Sequence, residues 1–279
     1  MNKLNSIGLS IPEKNFIVDI EHKVMFNPIS FSPSKEGAIG DEIISPKYSE
    51  INNYTWKKLF YNQFNCIKND VCDEFINGIN LLNIDRKKIP KLSSVSKKLK
   101  SITNWEIMRV EGLVYPRYFF ELLANKLFPC TDFIRDISEL NYIRSPDIFH
   151  DQFGHLPLIS DHKFANFFHL FGLAGTKAKN DEEIEWFNRI YWYTAEFGIM
   201  KNKIENSSKK IYGAGLISSK SEFMNFYSNN IEVFHLDIDY MAKNTIVDIN
   251  DFQKYFFEIE SFEELEYKFT NWATKNEFL

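Results

Sequence analysis

The sequence predicts a mostly α-helical α+β fold, with packed helices and a few short β-strands. Three observations predict it. Apolar side chains recur at three-to-four spacing over long stretches. Capping residues followed by proline or acids mark repeated helix starts. Runs suited to strands are short and few. The chain has 279 residues, 44% of them hydrophobic and 25% charged. At about 100–200 residues per domain, and with no internal repeat or linker-like tract, residues 47–279 are read as one domain. Residues 1–46 are read as an arm wrapped on it.

The elements follow in order. Residues 1–46 are punctuated by Pro12, Pro28, Pro33 and Pro46, with a short strand expected at 16–20. From Ser49 the pattern becomes helical, with Ile51, Trp56, Leu59, Phe60, Phe64 and Ile67 recurring at three-to-four spacing. A second helix spans 71–82, with Cys72, Phe75, Ile76 and Ile79 inward, and Pro90 closes the region. Lys97-Lys98-Leu99-Lys100 reads as a solvated helix end. Residues 105–110 read as a strand that stops at Gly112. Pro116 opens a helix carrying Phe119, Phe120, Leu122 and Leu123. Ser145-Pro146 and Ser160-Asp161 read as N-caps. Asp181-Glu182-Glu183 places acids in the first turn of a helix running to Gly198. Residues 210–217, with Gly213 and Gly215, read as strand or loop. Residues 255–259 read as a strand and 262–272 as a terminal helix.

Composition excludes several classes of function. A net charge of −5 and a pI of 5.8 lack the basic footprint of nucleic-acid binding. No run of 18 apolar residues suits a membrane span. The stretch Met1-Asn2-Lys3-Leu4-Asn5-Ser6 leads into no apolar signal segment. The three cysteines, Cys66, Cys72 and Cys130, form no metal-type pair, and free thiols fit a reducing cytoplasm. Small-molecule partners are expected. The 27 phenylalanines can wall a pocket for flat ligands.

Chemistry concentrates around the histidines. Four of six (His150, His155, His162, His169) fall within twenty residues. His150 and His155 are five apart, which on an ideal helix separates them by about 140°. Gly154 and Pro157 suggest a distortion that turns His155 back toward His150. Glu196 is the lone acid of the apolar stretch 190–200. A buried carboxylate needs a compensating cation: a metal, or equally Arg189 or Lys201. Two imidazoles and a carboxylate form the facial triad of non-haem iron(II) oxygenases. His162 and His169 read as ordinary helix residues. His235-Leu236-Asp237 lacks the further downstream His that a 2-oxoglutarate dioxygenase needs.

With these residues quoted, the sequence resembles the pterin-dependent aromatic amino acid hydroxylases, most closely their small bacterial phenylalanine-hydroxylating members. The resemblance runs through residues 146–157, 190–198 and 212–219, and through 84–90 and 130–135. It implies the aromatic amino acid hydroxylase fold, with 47–279 as the catalytic domain. It implies a monooxygenase using Fe(II), a tetrahydropterin as two-electron donor and O2 as co-substrate. His150, His155 and Glu196 would be the metal-binding and catalytic set. Gly112, Val114, Phe119, Asp151 and Tyr191 would face the pterin. Arg135 would hold the substrate carboxylate through its bidentate fork. Tyr142, Trp192, Gly215 and Ser218 would complete the substrate side, with Ser218 also supporting the first His ligand. Trp192, four residues before Glu196, is expected to share its helix face.

Pro116, Pro129, Ile143 and Ser145 depart from the animal members at pterin- and substrate-side positions. The regulatory domain and tetramerisation helix of those members have no counterpart here, so a monomer without phenylalanine-driven allostery is expected. Trp192 and Ile249 favour phenylalanine over tryptophan and tyrosine, while para and meta attack are not distinguished. Two alternatives stand beside this reading: a His-His-Glu zinc hydrolase and a non-enzymatic helical binding module.

Overall fold

The structure, a computed structural model, describes residues 46–110, 112, 114–140, 146–202, 208–228, 231–249 and 251–279. The arm with its expected strand, and Tyr142, Ile143 and Ser145, lie outside the described residues. Helix α1 (Glu50–Ile67) starts where Ser49 and Asn52 form a capping box. Helix α2 (Asp73–Leu82) ends at Asn83 with φ 51°, the left-handed conformation that asparagine tolerates. Helix α3 (Leu92–Thr103) precedes strand β1 (Glu106–Val110). Helix α4 (Pro116–Ala124) opens on proline, and strand β2 (Leu127–Thr131) follows. A 3-10 turn covers Ile137–Glu139.

A π turn, His150–His155, runs into the short α5 (Leu156–Ile159). Asp161 caps α6 (His162–Gly175). Helix α7 (Asp181–Tyr191) continues as a second π turn, Trp192–Glu196. Then come β3 (Ile199–Lys201), β4 (Lys209–Ile211), α8 (Ala214–Ser218), α9 (Lys220–Phe226) and β5 (Glu232–His235). The chain closes with α10 (Ile238–Asn244), β6 (Tyr255–Ile259) and α11 (Phe262–Lys275).

Strands β1 and β2 pair in parallel, and the larger sheet has the order β4-β3-β6-β5. Only β3 with β4 runs antiparallel in that sheet. The helices pack on a core dominated by phenylalanine. Phe164 lies 4.7 Å from Phe168, and Phe149 stacks on Phe153 at 4.7 Å. Phe120, Phe167, Phe171, Phe187 and Phe269 extend the same contacts. Each such buried ring contributes about 1.5–3 kcal/mol through burial, and edge-to-face contacts add to it. This core brings α4, α6 and α7 together, and both π turns border it. Among the described residues, no helix is long and apolar enough to cross a membrane.

The structure corrects several expectations. Residues 210–217 are split between β4 and α8, because Gly213 N-caps a five-residue helix too short to show a period. Among the described residues, Asp147 caps the turn leading to His150, its carboxylate accepting the His150 amide at 3.1 Å; the expected cap residue Ser145 lies outside the described residues. Strand β2 escaped notice because Pro129 interrupts it. Proline is tolerated there because β2 pairs only with β1.

Candidate metal centre

Both π turns carry metal-ligand candidates. In an α-helix, residues five apart diverge. A π turn closes its hydrogen bond on the fifth residue, so positions five apart come together. The Leu156 amide donates to the Asp151 carbonyl in this way. Pro157 has no amide to offer the Phe153 carbonyl and crowds it, which favours the wider turn. The result puts His150 Nε2 3.0 Å from His155 Nε2. In the second π turn the Phe197 amide donates to the Trp192 carbonyl at 2.9 Å. Its last residue, Glu196, points Oε1 at His155 Nε2 (3.0 Å) and Oε2 at His150 Nε2 (3.5 Å).

Three donors about 2.1 Å from one ion and at right angles to each other are about 3 Å apart. The observed 3.0, 3.0 and 3.5 Å match that requirement. No other His, Cys, Asp or Glu cluster among the described residues does so. His162 is exposed and His235 lies on the exposed strand β5, both outside the cluster. The competing cations are engaged elsewhere: Arg189 with the Ala242 carbonyl and Lys201 with Glu260.

The hydrogen bonds assign the imidazole roles. Ser218 Oγ has one proton and donates it to the Ala214 carbonyl at 2.7 Å. It therefore accepts from His150 Nδ1, 2.8 Å away. That fixes the tautomer and aims the Nε2 lone pair at the centre. Burial opposes charge on His150, but the Glu196 carboxylate outweighs it and leaves the imidazole above its ordinary value. Burial likewise opposes ionisation of Glu196. His155 and His150 outweigh it and hold the carboxyl well below the usual range. The acid is thus an ionised ligand in a buried site.

The glycines explain how closely the backbone wraps Glu196. A Cβ at Gly213 would lie 2.3 Å from the Glu196 carbonyl oxygen. One at Gly215 would meet that oxygen at 2.9 Å and the Phe197 ring at 3.0 Å. Only glycine fits such an approach.

The remaining candidates surround this centre. Asp151 is buried, and its Oδ2 accepts the amide and hydroxyl of Thr131 at 2.7 and 2.9 Å. Burial pushes its carboxyl up, partly offset by His150. Tyr191 packs 6.2 Å from the His155 ring and 5.1 Å from Phe119. Burial, then the Glu196 and Asp151 charges, push its phenol far above the ordinary value, so it stays protonated. Gly112 and Val114 are buried in the loop before α4. Ser218 stands behind His150. Ile249 is 45% exposed.

Two placements differ from expectation. Trp192 does not pair across the face with Glu196 in α-helical fashion. The π turn brings the residue five ahead instead, and the Trp192 and Phe197 rings lie 4.6 Å apart. Arg135 is buried, with its fork on Asp147: Nε to Oδ2 at 2.8 Å and Nη2 to Oδ1 at 2.9 Å. Sequence reasoning missed Asp147, which is fully buried and ties Arg135 to the start of the first ligand turn. The signal was available as an Asp three residues before His150, an N-cap spacing. It also missed Gln253, whose Oε1 accepts the Trp192 indole proton at 2.7 Å. No motif announces a lone glutamine.

Two imidazoles and one carboxylate on facing π turns define a mononuclear metal centre of the non-haem iron oxygenase type. Comparison with known proteins places it more narrowly. The profile of the family described as "Biopterin-dependent aromatic amino acid hydroxylase" matches residues 26–278. The phenylalanine-4-hydroxylase of Chromobacterium violaceum is 37% identical over 220 residues, 78% of this chain and 73% of that protein. The tyrosine 3-monooxygenase of Rattus norvegicus is 35% identical over 85% of this chain but only 47% of its own length. A crystal structure of the Chromobacterium violaceum phenylalanine hydroxylase, with bound iron(III) and oxidised 7,8-dihydrobiopterin, superposes with a TM-score of 0.76. It is 36% identical, covering 82% of this chain and 83% of that one. The chain belongs to the biopterin-dependent aromatic amino acid hydroxylases, enzymes that use iron and a pterin.

Proposed function

We propose that this chain hydroxylates L-phenylalanine to L-tyrosine with O2 and a tetrahydropterin, at iron held by His150, His155 and Glu196. The observation that carries the reading is the set of three donor separations, with the Ser218 bond that orients His150. Bound iron and reduced pterin supply the electrons that make oxygen reactive toward an aromatic ring.

The protein's own groups do the rest. Ser218 keeps the His150 lone pair forward and Glu196 stays ionised, so His150, His155 and Glu196 would hold the iron through three protein ligands and would leave room for oxygen to bind beside them. Arg135 arrives pre-oriented: Asp147 engages Nε and Nη2, which leaves Nη1 for a substrate carboxylate. Trp192, Phe197 and Gly215 form a wall suited to a phenyl ring, while Phe119 and Tyr191 offer aromatic surface on the pterin side. Gly112, Val114 and Asp151 complete that side, with Tyr142 on the substrate side. The buried phenylalanines around both π turns exclude water, which strengthens the electrostatics and limits unproductive reactions. Phenylalanine is preferred over tyrosine because the phenylalanine-4-hydroxylase relative matches across most of its length, and over tryptophan because the Trp192 indole takes up room.

The enzyme is proposed to work as a cytoplasmic monomer, with residues 1–46 as an arm on the 47–279 domain. All three cysteines are unpaired, which suits a reducing compartment. The test is anaerobic loading with iron, followed by phenylalanine, a tetrahydropterin and oxygen. Tyrosine is expected from the wild type and none from Glu196→Ala. Pterin oxidation coupled to tryptophan but not phenylalanine overturns the substrate, and substrate hydrolysis without reductant or oxygen overturns the class.

A further inference from the structure

Trp192 is tied at two places. One ring face lies against Phe197, and its indole nitrogen donates to Gln253 Oε1 at 2.7 Å. A tryptophan ring in a half-buried turn has two orientations related by a flip about its Cβ–Cγ bond. The hydrogen bond selects one, because a buried indole N–H left unpaired is costly.

Gln253 is itself held on every side. It is 6% exposed. Its Nε2 donates to the Tyr255 carbonyl at 2.8 Å, so flipping the amide would face two donors and two acceptors against each other. Its backbone carbonyl accepts Asn225 Nδ2 at 2.7 Å, and its backbone N–H donates to Glu222 Oε2 at 3.4 Å. Glu222 and Asn225 sit on α9, directly after the helix whose Ser218 orients His150. One continuous segment therefore references both a metal ligand and the Trp192 wall.

We propose that Gln253 is a positioning residue that fixes the orientation of the Trp192 indole and through it the fit of the substrate ring. The proposal rests on the reading of Trp192 as a substrate wall and names what sets that wall.

Two measurements test it. The first is spectroscopic and independent of turnover. With nitrogen-15 tryptophan, the chain's five indole N–H signals are resolved and that of Trp192 is assigned by its loss in Trp192→Phe. In the wild type this proton should exchange with solvent at least tenfold more slowly than a free indole, and Gln253→Met should shift its resonance. Fast exchange in the wild type overturns the proposal even if the variant does not fold. The second is kinetic. Gln253→Met should raise KM for phenylalanine about five- to tenfold with kcat within about twofold. That effect should vanish when measured in the Trp192→Phe background. A Gln253→Met effect of equal size with and without Trp192 overturns the positioning role. If the wild type turns over no aromatic amino acid, the hydroxylase reading fails, and the indole signal still decides whether Gln253 holds Trp192.

Discussion

Ser218 spends its only proton on the Ala214 carbonyl, and this small fact decides how His150 faces the metal. Ser218→Ala removes the acceptor for His150 Nδ1, and iron affinity should fall about 10–100-fold, measured by competition with a chelator. Asp147 is more structural. It neutralises a buried guanidinium and caps the turn that carries His150. Asp147→Ala should cost about 3–5 kcal/mol, because it leaves Arg135 buried and unpaired; the shift in the urea midpoint checks this. At this scale the sequence was legible where residue type alone restricts the chemistry. Glu196 stood out as the one acid in an apolar stretch. Asp147 offered only its N-cap spacing before His150, because its tie to Arg135, twelve residues away, is made by folding. Gln253 was invisible for the same reason, with its partner 61 positions distant.

The ligand-bearing elements are both π turns, and this is what an α-helical template cannot show. Counting at 3.6 residues per turn separated His150 from His155 by about 140°. Gly154 and Pro157 signalled a distortion, but neither specifies the wider hydrogen-bond register. The same mismatch gave Trp192 the wrong neighbour. Other elements were hidden for local reasons: Pro129 disguised β2, and every residue of β5 is exposed, which removes the alternation that marks a strand. The tight seam between the second π turn and α8 yields a prediction. In Gly213→Ala the new methyl meets the Glu196 carbonyl oxygen. Stability should drop by about 1–3 kcal/mol and iron binding should weaken, because the backbone that aims Glu196 must move. Calorimetry and iron titration on the same sample check both effects. Unchanged iron affinity would show that the seam does not position the ligand.

For the molecule as a whole, the helical class and the aromatic core were readable from periodicity and composition. The sheet order was not, since β6 brings together strands from distant parts of the chain. Stability should carry a pH signature set by Glu222. Burial, opposed by the Gln253 amide, pushes its carboxyl up to about 7. The folded state thus holds this proton more tightly than the unfolded chain does. The associated stability is fully present below about pH 4.5 and is lost as pH rises through 7. Glu222→Gln should gain on the wild type by on the order of 1–2 kcal/mol between pH 5 and 8.5, after allowance for solvent screening of a partly exposed group. Urea titrations at the two pH values measure it.

The central claim is that one ferrous ion sits among His150, His155 and Glu196. X-ray absorption on anaerobically loaded protein, paired with iron stoichiometry, tests it most directly. The account predicts one iron per chain with two imidazole ligands in the wild type. It also predicts one fewer imidazole in His155→Ala and loss of tight binding in Glu196→Ala. Full occupancy with an unchanged ligand set in either variant would contradict it.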